Sequence, residues 1–291
     1  QDIIAFLEAF APLRLAESWD NVGLLVGDAE RDVARVMTCL TITPESAREA
    51  IDERAELILA HHPLPFRPLK RLTTDTAEGR LLLDLIGAKI AIYSPHTAFD
   101  SASEGINQQL AVGLGLQATR PLLPLANAQS TALPIALPIA QSTAGTSEIC
   151  AAESVAGESV AGELGSGRCG ELASAVTLGE LALAVKKFLR IEQAQMVGPA
   201  DMSVSRVGVA CGSGGEFLGA AHAAGCQALV TGEARFHTCL EAQSDGLGLV
   251  LAGHYASERF AVETLAEIVQ RKFAGLAVWA SRNEADPLDW V

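Results

Sequence analysis

The sequence predicts an α/β fold with a largely parallel sheet. Apolar runs of strand length, such as those at 33–40 and 57–60, alternate along the chain with stretches of helical periodicity. This alternation is typical of parallel strands joined by helices. In addition, His, Asp and Glu side chains follow directly after several of the apolar runs. The carboxyl ends of parallel strands share one edge of a sheet, where sites commonly lie, so we expect these side chains to meet there.

Length and composition bound the classes of protein that fit. The 291 residues correspond to about two domains at the usual ~100–200 residues each. The net charge of −14 argues against a nucleic-acid partner, because binding a phosphate backbone requires clustered Lys and Arg. A small anionic substrate remains compatible if a bound cation neutralises it. Asp2 and Glu8 interrupt the first apolar residues, which argues against a signal peptide. No apolar run is long enough to span a membrane. We therefore predict a cytoplasmic protein without a membrane partner.

The predicted elements follow apolar periodicity and capping signals. In the first half we expect helices at about 2–10, 44–53, 76–86 and 101–112, and strands at 22–26, 33–40, 57–60 and 89–93. In the second half we expect a helix at 177–190, a second helix that ends at 224 and a third that begins at about 254. We expect strands at 204–210, 228–230 and 247–252. Thr43 is a predicted N-cap, and Ser101 with Glu104 forms a predicted capping box. The glycine-rich stretch 165–172 is interpreted as a turn into an edge strand.

Residues 126–164 differ from the rest of the chain in composition. Leu133–Ala136 repeats at once as Leu137–Ala140, and Glu153–Gly157 repeats as Glu158–Gly162. Such low complexity is typical of linkers, so we predict that this segment carries no chemistry. The chain then divides into an N-terminal α/β half (1–125), the linker or insertion (126–164) and a C-terminal α/β half (165–291).

The six cysteines show no metal-binding spacing, since none lies in a C-x-x-C pair. Several lie inside apolar runs, which predicts buried free thiols in a reducing compartment. They are Cys39, Cys150, Cys169, Cys211, Cys226 and Cys239.

Two stretches in the first half carry candidate metal ligands. His61-His62-Pro63 follows the run at 57–60, and Pro63 prevents regular continuation of that strand. Adjacent imidazoles at a strand end could line opposite sides of one cavity or bind two metal ions, and the alternative is a polar strand end with one partly buried His. The second stretch follows the strand at 89–93, and in it Asp100 is a stronger candidate ligand than His96. His96 is a candidate ligand, a partner that orients a ligand, or a substrate contact.

Two further pairs lie in the second half. His254 and Glu258 are four residues apart where a helix is predicted to begin, so both face one side of it, and the alternative is a solvated helix surface. Glu233 and His237 have the same spacing after the strand at 228–230. They are candidates for a general acid–base pair or for residues that orient metal ligands, against a plain helix start with a solvated Glu.

Seven short stretches contain most of these candidates. They are Ser18–Asp28, His61–Leu64, Tyr93–Asp100, Gly167–Leu172, Cys211–Phe217, Thr231–His237 and Ala252–Glu258. In this order they resemble the NIF3-like family, also labelled GTP cyclohydrolase 1 type 2-like, over nearly the whole chain except 126–164. The resemblance implies two α/β domains with two adjacent metal ions in the cleft between them. It also implies a ring-shaped homohexamer.

The resemblance also implies the identity of the ligands. The implied ligands are His61, His62, Asp100, His254 and Glu258, with Glu258 bridging the two ions. The sequence departs from the family pattern in two places. The usual His-Thr-Asn-Leu-Asp is His-Thr-Ala-Phe-Asp at 96–100, and Leu40-Thr41 stands where Leu-Asp is usual. These departures bear on substrate contacts more than on metal binding.

Three imidazoles and two carboxylates suit two divalent ions of zinc, manganese or iron, and do not suit calcium or a lone magnesium. The hypothesis is a hydrolase that uses metal-activated water. In its cyclohydrolase form, water opens the imidazole ring of a purine nucleotide, with Glu233 or His237 carrying protons. The alternatives are a dimetal nucleotide or phosphoester hydrolase and a non-enzymatic metal-binding interaction protein.

Overall fold

Two large β-sheets form the frame of the protein, which the computed structural model describes for residues 2–125 and 164–289. The strands are β1 (Gly23–Val26), β2 (Arg35–Cys39), β3 (Leu57–Ala60), β4 (Ala91–Ser94), β5 (Gln117–Arg120), β6 (Leu123–Pro124), β7 (Gly165–Ser166), β8 (Arg168–Thr177), β9 (Gln195–Val197), β10 (Ser203–Ala210), β11 (Ala228–Thr231), β12 (Gly248–Leu251) and β13 (Ala277–Ala280). The helices are α1 (Asp2–Phe10), α2 (Pro44–Asp52), α3 (Ala77–Gly87), α4 (His96–Ser101), α5 (Ile106–Gly113), α6 (Leu178–Leu189), α7 (Leu218–Ala223), α8 (Phe236–Ser244) and α9 (His254–Lys272). The α/β class predicted from the sequence is confirmed.

The first sheet has the strand order β1-β4-β3-β2-β13. Its four strands from β4 to β13 are parallel, and β1 is antiparallel to β4. Strands β2, β3 and β4 are almost wholly buried, as expected for parallel strands covered on both faces. The prediction of a largely parallel sheet is therefore confirmed for the first sheet.

The second sheet is mixed, with the order β5-β8-β10-β11-β12-β9. Only the pairs β10–β11 and β11–β12 are parallel among its described strands. The prediction of an edge strand after the glycine-rich stretch is wrong, because β8 lies between β5 and β10. The short strand β5, which the sequence pattern does not reveal, covers the edge that β8 would otherwise expose.

The two sheets do not coincide with the two halves of the chain. Strand β5 comes from the first half and joins the second sheet, whereas β13 comes from the C-terminal region and pairs with β2 in the first sheet. Helix α9 buries Ala261, Leu265 and Val269 in the apolar cluster that contains α1 and β3. The exchange of β5 and β13 between the sheets, together with the packing of α9, joins the two sheets near the strand ends that carry the polar residues.

Helix caps account for several element boundaries. The Thr43 side chain accepts a hydrogen bond from the Ser46 N–H at the start of α2, as predicted, and Thr76 and Thr177 cap α3 and α6 in the same way. The capping box predicted at Ser101 is wrong. Ser101 ends α4 and its hydroxyl meets that of Ser166 at 3.0 Å, while Gly105 precedes α5.

The predicted low-complexity segment lies almost wholly outside the described residues, which end at 125 and resume at 164. The chain on either side of this gap is paired. Strands β6 and β7 are antiparallel neighbours, and the Leu125 N–H donates to the Leu164 carbonyl at 3.0 Å. The segment therefore leaves and re-enters the fold at one point.

Candidate metal centre

The adjacent imidazoles predicted from the sequence directly follow β3. Their backbone N–H groups donate to the Cys39 and Leu40 carbonyls at 3.0 and 2.8 Å, which extends the ladder with β2 beyond the last strand residue. The His61 side chain is 2% exposed and the His62 side chain 27% exposed. Since these two hydrogen bonds hold the backbone against the β2 side of the sheet, the two rings enter the site from a fixed strand end.

The second pair of predicted ligands lies on the first turn of α9. Gly253 precedes the helix with φ of +90°, a conformation that favours glycine, and His254 is its first residue. His254 Nε2 lies 3.1 Å from Glu258 Oε2. The predicted placement of these two side chains on one helix face is confirmed.

Glu258 lies at the centre of the cluster, where its side chain is 6% exposed. Its Oε2 is 3.1 Å from His62 Nε2, and its Oε1 is 3.9 Å from His61 Nε2. Asp100, near the end of α4, places Oδ1 3.5 Å from the same His61 nitrogen. The structure thus brings together all five side chains that the sequence offered as ligands.

Two groups of three side chains could hold metal ions in the described parts of the chain. They are His62, His254 and Glu258, and His61, His62 and His96, whose ligand atoms lie within 4.8 Å of one another in each group. His96 therefore belongs to the cluster itself.

The unpaired polar atoms of the cluster fit a cation. Both ring nitrogens of His61 and Oδ1 of Asp100 are buried without a hydrogen-bond partner among the described residues. Native proteins rarely leave such atoms unsatisfied. Two ligand atoms on one tetrahedral zinc ion lie roughly 3.3 Å apart, close to the separations of 3.1 to 3.5 Å found here. The side chains present therefore fit divalent transition-metal ions.

The pKa shifts in the cluster also fit a bound cation. Burial and the charge of Glu258 raise the pKa of Asp100 to about 8. Burial lowers the pKa of His61 well below its usual range. The hydrogen bond to Glu258 raises the pKa of His254 to about 9 against the effect of burial. A bound cation would favour the ionised carboxylate of Asp100 and would accept the neutral ring of His61 as a ligand.

Each of the remaining imidazoles is held by a residue outside the five ligands. Thr41 Oγ1 is 2.7 Å from His62 Nδ1, and Glu233 Oε1 is 3.0 Å from His254 Nδ1. His96 Nδ1 donates to Asp20 Oδ1 at 2.8 Å. Such partners fix ring orientation and leave the other nitrogen facing the site. Sequence reasoning gave no role to Asp20, although it lies in the first of the seven motif stretches, and treated Thr41 only as a departure from a pattern.

The structure separates the two residues that were predicted as an acid–base pair. Glu233 contacts His254 and accepts a hydrogen bond from Ser213, the main cause of its lowered pKa. His237 is exposed on α8, with its ring against Phe236, and is not among the described residues that line the cleft.

A cleft of about 900 Å³ opens onto the cluster between the two sheets. His62, His96, Asp100, His254 and Glu258 line its floor. Trp19 stands at one wall, and its ring meets His96 edge-on with centroids 6.2 Å apart.

A known protein family matches almost the whole chain. The family model described as Duf34/NIF3 (NGG1p interacting factor 3) matches residues 1–287.

The chain belongs to the DUF34/NIF3 family. It is 30% identical over 291 residues to a Clostridium perfringens protein named GTP cyclohydrolase 1 type 2 homolog, covering 100% of this chain and 98% of that protein. It is also 30% identical over 293 residues to NIF3-like protein 1 of Drosophila melanogaster, covering 98% and 87%. The crystal structure of a Bacillus cereus protein related to NIF3 matches with a TM-score of 0.80, 28% identity and coverage of 100% and 98%.

In this DUF34/NIF3 chain, Gly212 lies against the cluster. Its φ is +63°, and a Cβ there would come 2.1 Å from Glu258 Oε1. Asn107 joins the two sides of the cleft, since its amide donates to the Asp100 carbonyl at 3.0 Å and accepts from the Cys211 N–H at 2.8 Å. Sequence reasoning missed both roles. Gly212 lies in the motif stretch Cys211–Phe217, but the sequence does not reveal that its closest contact is a side chain from α9.

None of the helices in the described residues combines the length and apolar content needed to cross a membrane.

Proposed function

We propose that this protein is a dinuclear metal-dependent hydrolase of the kind named GTP cyclohydrolase 1 type 2. The observation that carries the proposal is the convergence of three imidazoles and two carboxylates with buried atoms left unpaired at the floor of a cleft. The name of the Clostridium perfringens relative supplies the reaction class.

His61, His62, Asp100, His254 and Glu258 would hold the two ions, and Glu258 would bridge them. The support for a bridging role is that its two oxygens face different histidines. Ions with such ligands activate water as a nucleophile near neutral pH and stabilise negative charge on the reacting group. Zinc, manganese and iron all suit these ligands.

Residues of the chain supply the proton path. Glu233 links His254 to Ser213, and its side chain is 55% exposed. A carboxylate in contact with both solvent and a site imidazole can take a proton from the site and release it to water. We assign this role to Glu233. His237 could act only after a movement of α8, or in a reaction that extends beyond the cleft.

The cleft suits a nucleotide in size and in chemistry. Its volume of about 900 Å³ lies within the ~300–1,000 Å³ typical of small-molecule sites. Trp19 offers an aromatic surface beside His96, and Arg235 places a cation on the lining. These groups match a planar base and a phosphate.

The test is metal content per chain by elemental mass spectrometry, followed by a GTP turnover assay on the same sample. The proposal expects about two transition-metal ions per chain and ring opening of GTP. Substituting both His61→Ala and Glu258→Ala should abolish stoichiometric metal binding and turnover with the fold retained. His222→Ala, an exposed histidine on α7, is the matched control and should behave as wild type.

Each other outcome points elsewhere. Release of phosphate with the base intact would replace the cyclohydrolase by a dimetal phosphoester hydrolase. Two ions with no turnover of any nucleotide would indicate a metal-binding interaction protein. Normal metal content in the double variant would refute the ligand assignment.

We also propose that the protein assembles as a homohexamer. The support is the family resemblance together with several large apolar side chains left exposed on one chain, among them Trp19, Leu183 and Phe236. Light scattering should give the mass of six chains. A monomer at micromolar concentration would refute the assembly without affecting the metal centre.

A further inference from the structure

Two thiols of the second sheet lie against each other, away from the metal centre. Cys169 is in β8, Cys226 lies in the turn between α7 and β11, and both belong to the same buried apolar cluster. The Cys226 thiol hydrogen-bonds to the Cys169 sulfur, and both cysteines are free. The Gly167–Leu172 motif that contains Cys169 has no part in the proposed hydrolysis.

Strand pairing explains how the two sulfurs come together. Cys169 lies opposite Gly208 of β10 in the antiparallel pair. A Cβ at Gly208 would be 3.6 Å from Cys226 Sγ, and opposed Cβ atoms in such a pair are about 4.5–5.5 Å apart. This ordinary contact distance places the Cys226 sulfur beside the residue that lies opposite Cys169. Both cysteine side chains therefore pack on the same face of the second sheet, within one apolar cluster.

Two arginines give the pair an asymmetric charge. Arg120 lies opposite Cys169 across β5 and β8 and hydrogen-bonds to its sulfur, and Arg206 is nearby on β10. The hydrogen bond from Cys226 and these two cations lower the pKa of Cys169, although burial opposes them. The pKa of Cys226 is raised. Cys169 is therefore the more readily ionised thiol of the pair, and it lies beneath the exposed side chain of Arg120.

We propose that Cys169 and Cys226 form a redox site that reacts with hydrogen peroxide to give a reversible disulfide. The Cys169 thiolate attacks one peroxide oxygen, an S–O bond forms to give the sulfenic acid, the O–O bond breaks, and the second oxygen leaves as hydroxide into solvent. The Cys226 sulfur then attacks the Cys169 sulfur, an S–S bond forms, and the S–O bond breaks. The hydroxyl departs as water with the Cys226 proton. The peroxide gains two electrons, and the two sulfurs lose them.

The disulfide would join β8 to the turn that precedes β11. It would cross-link two parts of the second sheet that lie 57 positions apart in the sequence, 226 − 169. A dithiol would restore the reduced pair. This site is independent of the metal centre, so its test does not depend on the proposed hydrolase activity.

The test treats the native wild-type protein with hydrogen peroxide, blocks the remaining thiols with N-ethylmaleimide, and maps peptides by mass spectrometry. A linked Cys169–Cys226 peptide that disappears after dithiothreitol is the expected result. Cys239→Ser, which alters a partly exposed cysteine outside the pair, is the matched control and should give the same linked peptide. Recovery of both cysteines as separate blocked peptides would overturn the proposal. The wild-type result decides the matter even if a variant fails to fold.

Sulfenic-acid trapping tests the order of the two steps. With dimedone present, Cys226→Ser should accumulate an adduct at Cys169, whereas Cys169→Ser should accumulate none at Cys226. The opposite pattern would overturn the assignment of Cys169 as the attacking thiolate. Arg120→Ala should slow adduct formation in the Cys226→Ser background several-fold. Arg190→Ala, which alters an exposed arginine elsewhere, should leave the rate unchanged.

Discussion

Single side chains outside the five predicted ligands hold the imidazoles of the site in place. Thr41, Asp20 and Glu233 each bind Nδ1 of one histidine, so that Nε2 of that histidine faces the cluster. His61 has no such partner among the described residues and is fixed by burial, with its ring 6.2 Å from that of Phe99. The precision of the site therefore depends on three hydrogen bonds and one packed ring.

Thr41→Val should weaken metal binding. The hydroxyl of Thr41 can donate to Nδ1 of His62 or accept from it, so it suits either tautomer of the ring, and valine removes the bond at nearly constant volume. Loss of such a partner typically lowers metal affinity ~10–100-fold. Competition with a chelator would measure the affinity. Thr73→Val, an exposed threonine in a loop, is the control. Unchanged affinity in Thr41→Val would show that burial alone orients His62.

Asp20→Asn should destabilise the protein in a pH-dependent way. Burial opposes ionisation of Asp20, but hydrogen bonds from His96 and Thr97 outweigh it and lower the pKa from 3.8 to about 2. A lowered pKa stabilises the folded state above pH 3.8, and a shift of this size corresponds to about 2 kcal/mol. That contribution is lost as the pH falls toward 2.

Unfolding in urea at several pH values would measure this effect. The gap between wild type and Asp20→Asn should be about 2 kcal/mol near neutral pH and should narrow below pH 3.8. A gap that stays constant from neutral pH into acid would show that the ionised Asp20 contributes nothing beyond packing.

At the scale of elements, the loop between β10 and α7 must pass close to the first turn of α9. Gly212 has φ of +63°, its N–H donates to the Ser257 hydroxyl at 2.9 Å, and its Cα faces Glu258. A side chain there has no space, because Glu258 is held by two histidines. The loop and the helix therefore constrain each other at the metal centre.

Gly212→Ala should displace Glu258 and reduce the metal content of the protein. Gly246→Ala is a matched control, because Gly246 has φ of +68° and nothing lies within 4 Å of an added Cβ. Both variants should lose about 1 kcal/mol of stability from the left-handed backbone conformation. Only Gly212→Ala should also lose metal, as measured by elemental analysis. Equal metal content in the two variants would contradict the close contact.

The sequence predicts which helices and strands form better than it predicts which of them lie side by side. The pair at His254 and Glu258 was predictable because helical spacing alone brings the two side chains together. The contact between His96 and Asp20 was not, because it joins residues far apart in the chain and neither spacing nor periodicity reports such contacts. Helix α4 was missed because its six residues are too few for a periodic signal. Strand β8 was placed at an edge because the four-residue strand beside it, β5, has mostly exposed side chains.

At the scale of the whole molecule, each sheet is completed by chain from the other half. Strand β13 joins the first sheet, and the residues after it return to the site. The Glu284 carboxylate accepts from the Leu40 N–H at 2.9 Å and lies 3.3 Å from Arg259 Nε on α9. It also accepts from the N–H of Thr41, the residue whose hydroxyl orients His62. The exchanged C-terminal segment thereby couples the strand end that carries two histidines to the helix that carries Glu258.

We predict that residues 126–163 can be removed without loss of the fold. The flanking strands β6 and β7 already pair, and the hydrogen bond between Leu125 and Leu164 sets the two ends at the separation that a two-residue hairpin turn spans. Replacing 126–163 by Asn-Gly should therefore preserve the fold, the metal content and the mass of the assembly. Thermal unfolding, elemental analysis and light scattering would measure these three properties. Replacement by Pro-Pro is the control, because it lacks the turn geometry and should lower the melting temperature. Loss of metal or of assembly in the Asn-Gly variant would assign the removed segment a structural role that its sequence does not reveal.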